Sequence, residues 1–427
     1  MADLLALSAK YIDEDLYEGP FSVNRVTTEL SEVADGVAVV EAFSHVVAFA
    51  TEAGLLLFDT SLEAFGPMIR GAIRRWSEAP VDTIAYTHGH VDHVGGAATF
   101  LAEAREADRS EPAVVGHEGV LPRFERYDRT NAWNRIINQR QFATIGGGVM
   151  GVAPGGRWGP SVWVPPTRTF RDRLDLEVGE LAVELHHARG ETDDHLWAWV
   201  PSHRAIVAGD FVTWVFPNAG NPQKVQRYPA EWARALRTMA GLEADLLLPA
   251  HGLPVGGAAR IRQLLGDLAT VLEHLVEGTL TAMNAGATLN DVIHDVQPPA
   301  ELMDRPYLRP VYDEPEFVVR NVWRLYGGWY DGNPAHLKPS RVGVLASELA
   351  RLAGGPGRLA ARARELAEHD PRLACELVEL AAQAAPEDPA VHAARAEVYR
   401  TRRDGELSLM AKGVFAEAAA ASEAKQT

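Results

Sequence analysis

The run Thr87-His88-Gly89-His90-Val91-Asp92-His93 places three imidazoles and a carboxylate within seven consecutive positions. A lone histidine, such as His117 or His203, is ordinarily a surface or satisfied core residue. Four ligand-type side chains this close together instead make a metal-binding arrangement. Imidazole and carboxylate suit zinc, and a catalytic zinc site keeps one position open for water. Positions 88 and 90 face one point, while 92 and 93 turn toward another, so the run implies two metal ions. The single cysteine, Cys375, excludes an intrachain disulfide and any thiolate-built zinc site. Two zinc ions sharing a water lower its pKa from ~15.7 toward ~7, which gives hydroxide at neutral pH. Such chemistry needs no protein nucleophile, and the chain has no Gly-x-Ser-x-Gly elbow.

The elements that must position these residues are legible as hydrophobic runs. The histidine run follows the strand-like Thr83-Ile-Ala-Tyr-Thr87, and further strands are expected at Val37-Ala-Val-Val-Glu41, Val46–Thr51 and Leu55–Asp59. Helical spacing from Phe65 to Trp76 predicts a helix packed on that sheet, and Gly95-Gly96 permits the next helix to approach the metal loop closely. A second set of strands is expected at 181–186, 196–200, 205–208 and 246–249. The stretch from Arg126 to Arg171 is the least regular. It carries glycines at 146–148, Pro154 and the tryptophans 133, 158 and 163, and it is read as a binding lid. From about Ala258 the strand-like runs give way to Ala, Leu, Glu and Arg at helical period, which places a domain boundary near residue 265.

The form His-x-His-x-Asp-His resembles the metallo-β-lactamase superfamily. That resemblance implies an α+β fold, with an N-terminal arm at 1–20 and an αββα sandwich over 21–265. It implies His88 and His90 on a first metal and Asp92 and His93 on a second, with two Zn2+ per chain. Where the superfamily has His-x-x-Gly-His-Thr, this chain has His187-Ala-Arg-Gly-Glu191-Thr192. Glu191 is therefore taken as the third ligand of the first metal, with His187 as the alternative. Asp210, in Ala208-Gly-Asp-Phe211, corresponds to the bridging acid, and His251, in Pro249-Ala-His-Gly252, to the last histidine. Asp92 and Asp210 are the acids expected at the reacting centre. Asp59 is expected to orient the histidine loop rather than to ligate.

Glutamate at 191 and an all-helical C-terminal half resemble the alkyl sulfatase branch of that superfamily. Phe317-Val-Val-Arg-Asn-Val-Trp-Arg-Leu-Tyr-Gly-Gly-Trp-Tyr-Asp-Gly-Asn-Pro-Ala-His-Leu337 looks like a signature of its dimerisation domain. The resemblance implies a helical dimerisation domain at 267–415, a frayed tail at 416–427 and a homodimer. It also implies cleavage of alkyl sulfate esters to alcohol and sulfate. The branch holds sulfate with an arginine shortly after a Phe-Pro-Asn run. Phe216-Pro-Asn218 is followed here by Lys224 and Arg227, with no arginine at the matching step. Asn218, Lys224 and Arg227 are the expected contacts, with Asn138 and Arg140 as further ones, and Trp133, Trp158, Trp163, Trp214 and Phe216 as lining of an apolar channel. The alternatives are hydrolysis of a phosphodiester, thioester or lactone, or iron-dependent oxidation on the same scaffold.

The bulk composition sets the outer bounds. At 427 residues the chain is long enough for two domains. A net charge of −17 opposes nucleic acid as a partner, and no apolar run approaches the ~20 residues needed to cross a bilayer. The N-terminal residues lack the basic start and apolar stretch of a secretory signal, so a cytoplasmic location is expected, while the alkyl sulfatase resemblance implies a small anionic ester substrate.

Overall fold

The computed structural model of the chain describes residues 3–19, 22–142 and 156–426. Seven strands form the first sheet in sequence order: β1 (Leu30–Ala34), β2 (Val37–Val40), β3 (Val46–Thr51), β4 (Gly54–Phe58), β5 (Val81–Ala85), β6 (Ala113–His117) and β7 (Arg168–Phe170). β1 to β4 pair antiparallel and β4 to β7 parallel. The second sheet runs in the order β13-β12-β11-β10-β9-β8. Its strands are β8 (Arg173–Val178), β9 (Leu181–His187), β10 (Leu196–Val200), β11 (Ala205–Gly209), β12 (Leu246–Pro249) and β13 (Val255–Gly256).

Alternation along the strands builds two cores. In β4, Leu56 and Phe58 face the second sheet, where they join Val37, Val39, Leu185, Leu196 and Val207. Leu55 and Leu57 point the other way, onto Ile69 and Ile73 of the helix Gly66–Trp76 and Phe100 of the helix Ala97–Glu106. A strand covered on both faces reads as an unbroken apolar run, which is why this part was legible in the sequence. Each such side chain contributes about 1.5–3 kcal/mol by leaving water. Helices outside the first sheet, two facing sheets and the helices Pro229–Ala240 and Ala258–Asn284 on the far side make the αββα arrangement expected.

This architecture brings strand C-termini to one edge. Asp59 follows β4, the histidine run follows β5, Glu191 lies between β9 and β10, Asp210 follows β11, and His251 follows β12.

Contacts divide the chain into two compact units. One takes the described residues of 1–135, 151–286 and 291–326, and the other those of 136–150, 287–290 and 327–427. The composition change near residue 265 therefore lies inside the helix Ala258–Asn284, which belongs to the sheet-bearing unit. The second unit is helical, with Val342–Ala353, Pro356–Leu366, Pro371–Ala384, Pro389–Asp404 and Leu409–Glu423 around a core of Ala363, Ala374, Val378, Ala381, Ala394 and Val398. Two of these helices start with proline after a capping aspartate: Asp370 accepts from the Leu373 amide, and Asp388 from those of Ala390 and Val391.

Two expectations are corrected. The tail at 416–427 is not frayed through most of its length, because Leu409–Glu423 is a helix. Ser408 caps that helix, Ala419 and Ser422 are buried, and Arg395 donates to the Ala418 carbonyl. Within the stretch from Arg126 to Arg171, Asn131–Gln141 is a helix rather than irregular chain. The glycines at 146–148 and Pro154, read as part of a lid, lie outside the described residues. Among the described residues no helix is long and apolar enough to cross a membrane.

Candidate metal centre

Seven side chains gather at the strand edge in two groups: His88, His90, Glu191 and Asp210, and Asp92, His93 and His251. His88 Nε2 lies 2.8 Å from His90 Nδ1, and His90 Nδ1 lies 3.6 Å from Glu191 Oε1. In the second group, His251 Nε2 is 3.5 Å and His93 Nε2 3.6 Å from Asp92 Oδ2. Asp210 joins the groups by dividing its oxygens. Oδ2 stands 3.9 Å from His88 Nε2, whereas Oδ1 stands 3.4 Å from His93 Nε2 and 3.5 Å from His251 Nε2.

The donor set fits cations. His93 Nε2, Glu191 Oε2 and Asp210 Oδ1 are buried without a hydrogen-bond partner. Leaving a buried polar atom unpaired costs about 1–3 kcal/mol, so three in one cluster point to a group that would satisfy them all. Electrostatics agree. Burial first, then the neighbouring charges, hold His88 and His90 well below the usual imidazole range, so both rings are neutral and keep lone pairs to donate. For His93, burial opposes the charged ring, yet Asp210, Asp59 and Asp92 outweigh it and raise the pKa well above the ordinary value. Burial lifts the Glu191 carboxyl to about 8 against the pull of Arg227, with Asp210 adding repulsion. Against burial, His93 and His251 hold the Asp92 and Asp210 carboxyls below the ordinary carboxylate range, whereas Glu191 is left short of positive charge.

Supporting contacts aim these ligands. Asp59 is buried, accepts from the Thr87 amide through Oδ1 and meets His93 Nδ1 at 2.7 Å through Oδ2, which leaves Nε2 for the cluster. Gly96 lets the start of the following helix lie against the segment after β4, since a Cβ there would lie 2.2 Å from the Thr60 carbonyl oxygen. Gly209 has a φ of +53°, and a Cβ would lie 2.8 Å from both His195 Nε2 and Thr87 Cβ.

Sequence reasoning missed three residues of this shell. Asp194 Oδ2 accepts from the Gly89 amide, between the two histidines, and from Arg123 Nε at 2.9 Å. His195 Nε2 accepts from the Asp210 amide at 3.2 Å, with its ring stacked on Phe211. Arg123, Asp194 and His195 are all buried. Burial of three ionisable groups would have signalled them, but burial is not readable from residue type.

The expected substrate contacts separate. Arg227 and Asn218 are committed to Glu191: Arg227 Nη1 lies 2.6 Å and Asn218 Nδ2 2.5 Å from Glu191 Oε1. Lys224 stands in the same loop, its ammonium 5.9 Å from the Trp158 ring centroid and within electrostatic reach of Glu191 and Asp92. Asn138 and Arg140 belong to the helical unit, where Arg140 faces Glu417 at 4.0 Å. His187, the alternative ligand, stacks on His117 at 3.9 Å and reaches the Asp193 carbonyl, apart from both groups. Of the expected channel residues, Trp214 and Phe216 are core side chains, the former donating to the Leu253 carbonyl. Trp158 is buried as well, Trp163 stacks on Phe124, and Trp133 is exposed.

Comparison with known proteins adds an independent line. A sequence model of the metallo-β-lactamase superfamily matches residues 39–251, and one described as alkyl sulfatase dimerisation matches residues 288–425. A linear primary-alkylsulfatase from Pseudomonas sp. is 27% identical over 315 residues, covering 71% of this chain and 59% of that protein. Alkyl/aryl-sulfatase BDS1 from Saccharomyces cerevisiae is 26% identical over 326 residues, covering 72% of this chain and 50% of that protein. The solved structure of the stereoselective inverting sec-alkylsulfatase Pisa1 from Pseudomonas sp. superposes with a TM-score of 0.78 at 21% identity, over 91% of this chain and 64% of that one. At that identity the superposition establishes the fold. The chain spans between half and three fifths of the length of these two curated relatives.

Proposed function

Because the chain belongs to the metallo-β-lactamase superfamily and carries an alkyl sulfatase dimerisation domain, we propose that it is a two-zinc hydrolase that cleaves alkyl sulfate esters to alcohol and inorganic sulfate. The observation that carries this reading is the pair of ligand groups joined by Asp210, with a carboxylate at Glu191. In this reading His88, His90, Glu191 and Asp210 hold one ion, and Asp92, His93 and His251, with Asp210 shared, hold the other. The zinc ions, when bound, supply Lewis acidity that acidifies a water and polarises an ester oxygen.

The chain's own residues do the rest. Neutral His88 and His90 donate lone pairs without first losing a proton. Asp59 fixes the tautomer of His93 and thereby the direction of its lone pair. Lys224 stands in the loop 216–228, where burial and then Arg227 lower its ammonium to about 7 against the pull of Glu191 and Asp92; in its protonated form it supplies a point charge for the sulfate in place of an arginine fork.

The assembly proposed is a homodimer through the helical unit. The helix Val342–Ala353 turns Ala346 and Ala350 inward and leaves Val342, Leu345, Leu349 and Leu352 exposed. Their spacing of three, four and three residues is that of a helix-packing seam.

The test is sulfate release from primary and secondary alkyl sulfates by zinc-reconstituted protein. Wild type is expected to release sulfate, and His88→Ala and Asp210→Ala are expected to abolish it. Lys224→Ala should raise KM about tenfold or more while zinc content stays unchanged. Absence of release from every chain length by a fully zinc-loaded protein would overturn the substrate class.

A further inference from the structure

Glu191 is not held by its own strand ends alone. One oxygen, Oε1, is gripped by Arg227 and Asn218, while Oε2 is left without a hydrogen-bond partner. Arg227 Nη1 also donates to the Glu191 carbonyl at 2.7 Å. A carboxylate pinned at one oxygen presents the other in a fixed direction. The two residues that pin it stand near the two ends of one loop, 216–228, so the direction of Oε2 depends on how that loop is held.

The loop is cinched from a different part of the chain. Asn321, on the helix Pro315–Gly327, donates from one amide nitrogen to the Ala219 carbonyl and to the Arg227 carbonyl, each at 2.9 Å. It thereby ties the residue after Asn218 to Arg227 itself. Its Oδ1 accepts from Gln226 Nε2 at 2.9 Å and from Arg324 Nη2 at 3.0 Å, so the amide is fully used. Asp313, just before that helix, accepts through Oδ2 from the Gly220 and Asn221 amides at 2.6 and 3.0 Å and fixes the turn that follows Asn218. Gly220 sits against the helix backbone, and a Cβ there would lie 2.4 Å from the Phe317 carbonyl carbon. Asp313 and Asn321 are both buried, and burial raises the Asp313 carboxyl to about 6 despite three backbone donors.

We propose that Asp313 and Asn321 are positioning residues of the metal centre, which set the direction of Glu191 through Asn218 and Arg227. The inference rests on the two-metal reading above. It gives the stretch 313–324, which lies within the match to the dimerisation domain, a role in the sheet-bearing unit that contains the ligands.

The experiment measures zinc affinity by chelator competition and zinc content after dialysis, beside thermal unfolding, for Asn321→Ala, Asp313→Ala, Asp313→Asn and Val322→Ala. Val322 is buried on the same helix, and its truncation removes apolar contact but none of these hydrogen bonds. Asn321→Ala and Asp313→Ala are expected to weaken one of the two zinc ions about 10–100-fold and to spare the other. Asp313→Asn, which keeps an acceptor oxygen, should retain affinity better than Asp313→Ala. Val322→Ala should lower the melting temperature and leave both affinities intact. Should Asn321→Ala not fold, Gln226→Ala provides a milder break of the same network, and a smaller loss at the same ion is expected. Unchanged affinities in folded Asn321→Ala or Gln226→Ala, or an equal loss in Val322→Ala, would overturn the proposal. A wild type that binds no metal would instead overturn the two-metal reading beneath it.

Discussion

Asp210 and Asp59 show how differently two buried carboxylates can serve one centre. Asp210 offers an oxygen to each ligand group, whereas Asp59 spends both oxygens on Thr87 and His93 and never faces the cluster. An amide at position 59 could donate to His93 Nδ1 and turn the ring to the tautomer whose Nε2 carries the proton. Asp59→Asn is therefore expected to reduce zinc affinity about 10–100-fold with an unchanged circular dichroism spectrum. Far from this centre, burial first, with acidic neighbours Glu379, Glu376 and Glu406, raises the Cys375 thiol to about 11. The thiolate is the reactive form, so native protein at pH 8 is expected to resist alkylation by iodoacetamide and to react only near and above pH 11 or after unfolding. The sequence made the contiguous candidate donors His88 to His93 legible, because four such side chains in one run need no fold to be recognised. Glu191, Asp210 and His251 were legible only through family resemblance, since a long loop or a whole sheet separates each from the run. Arg123, Asp194 and His195 left no signal, as the bond from Gly89 to Asp194 spans 105 positions.

At the scale of elements, the metal centre is a product of strand ends. The continuous apolar runs of β2 to β4 and β10 to β12 announced themselves, because burial on both faces leaves no polar residue to break the pattern, and β9 did so by alternation. Short β7 and the alternating Arg173-Leu-Asp-Leu-Glu-Val178 of β8 did not, since their exposed faces carry charge. The Ala-rich tail helix was missed because its stability comes from the neighbouring helix Pro389–Asp404, through contacts such as that of His392 with Ser422. The end of β11 is the most constrained point. Gly209→Ala combines a left-handed backbone, at about 1–2 kcal/mol, with a contact at 2.8 Å to Thr87 and His195. A loss of at least about 2 kcal/mol in urea unfolding is expected, together with impaired zinc retention, because the next residue is Asp210.

At the scale of the molecule, the sheet-bearing unit carries the candidate metal centre and the helical unit the surface proposed for assembly. Leu345 and Leu352 are 51% and 69% exposed on one face of a helix whose opposite face is buried. Burying two such leucines contributes about 1.5–3 kcal/mol each, so Leu345→Ser with Leu352→Ser is expected to convert a dimer to monomer in sedimentation at micromolar concentration. A wild-type protein that sediments as a monomer would contradict the assembly. The central claim, that two zinc ions shared by Asp210 act together on a sulfate ester, is tested most directly by titrating zinc into metal-free protein while sulfate release from a primary alkyl sulfate is followed. The rate is expected to climb to a plateau at two equivalents per chain. Full activity at one equivalent, or two bound equivalents with no sulfate released, would contradict it.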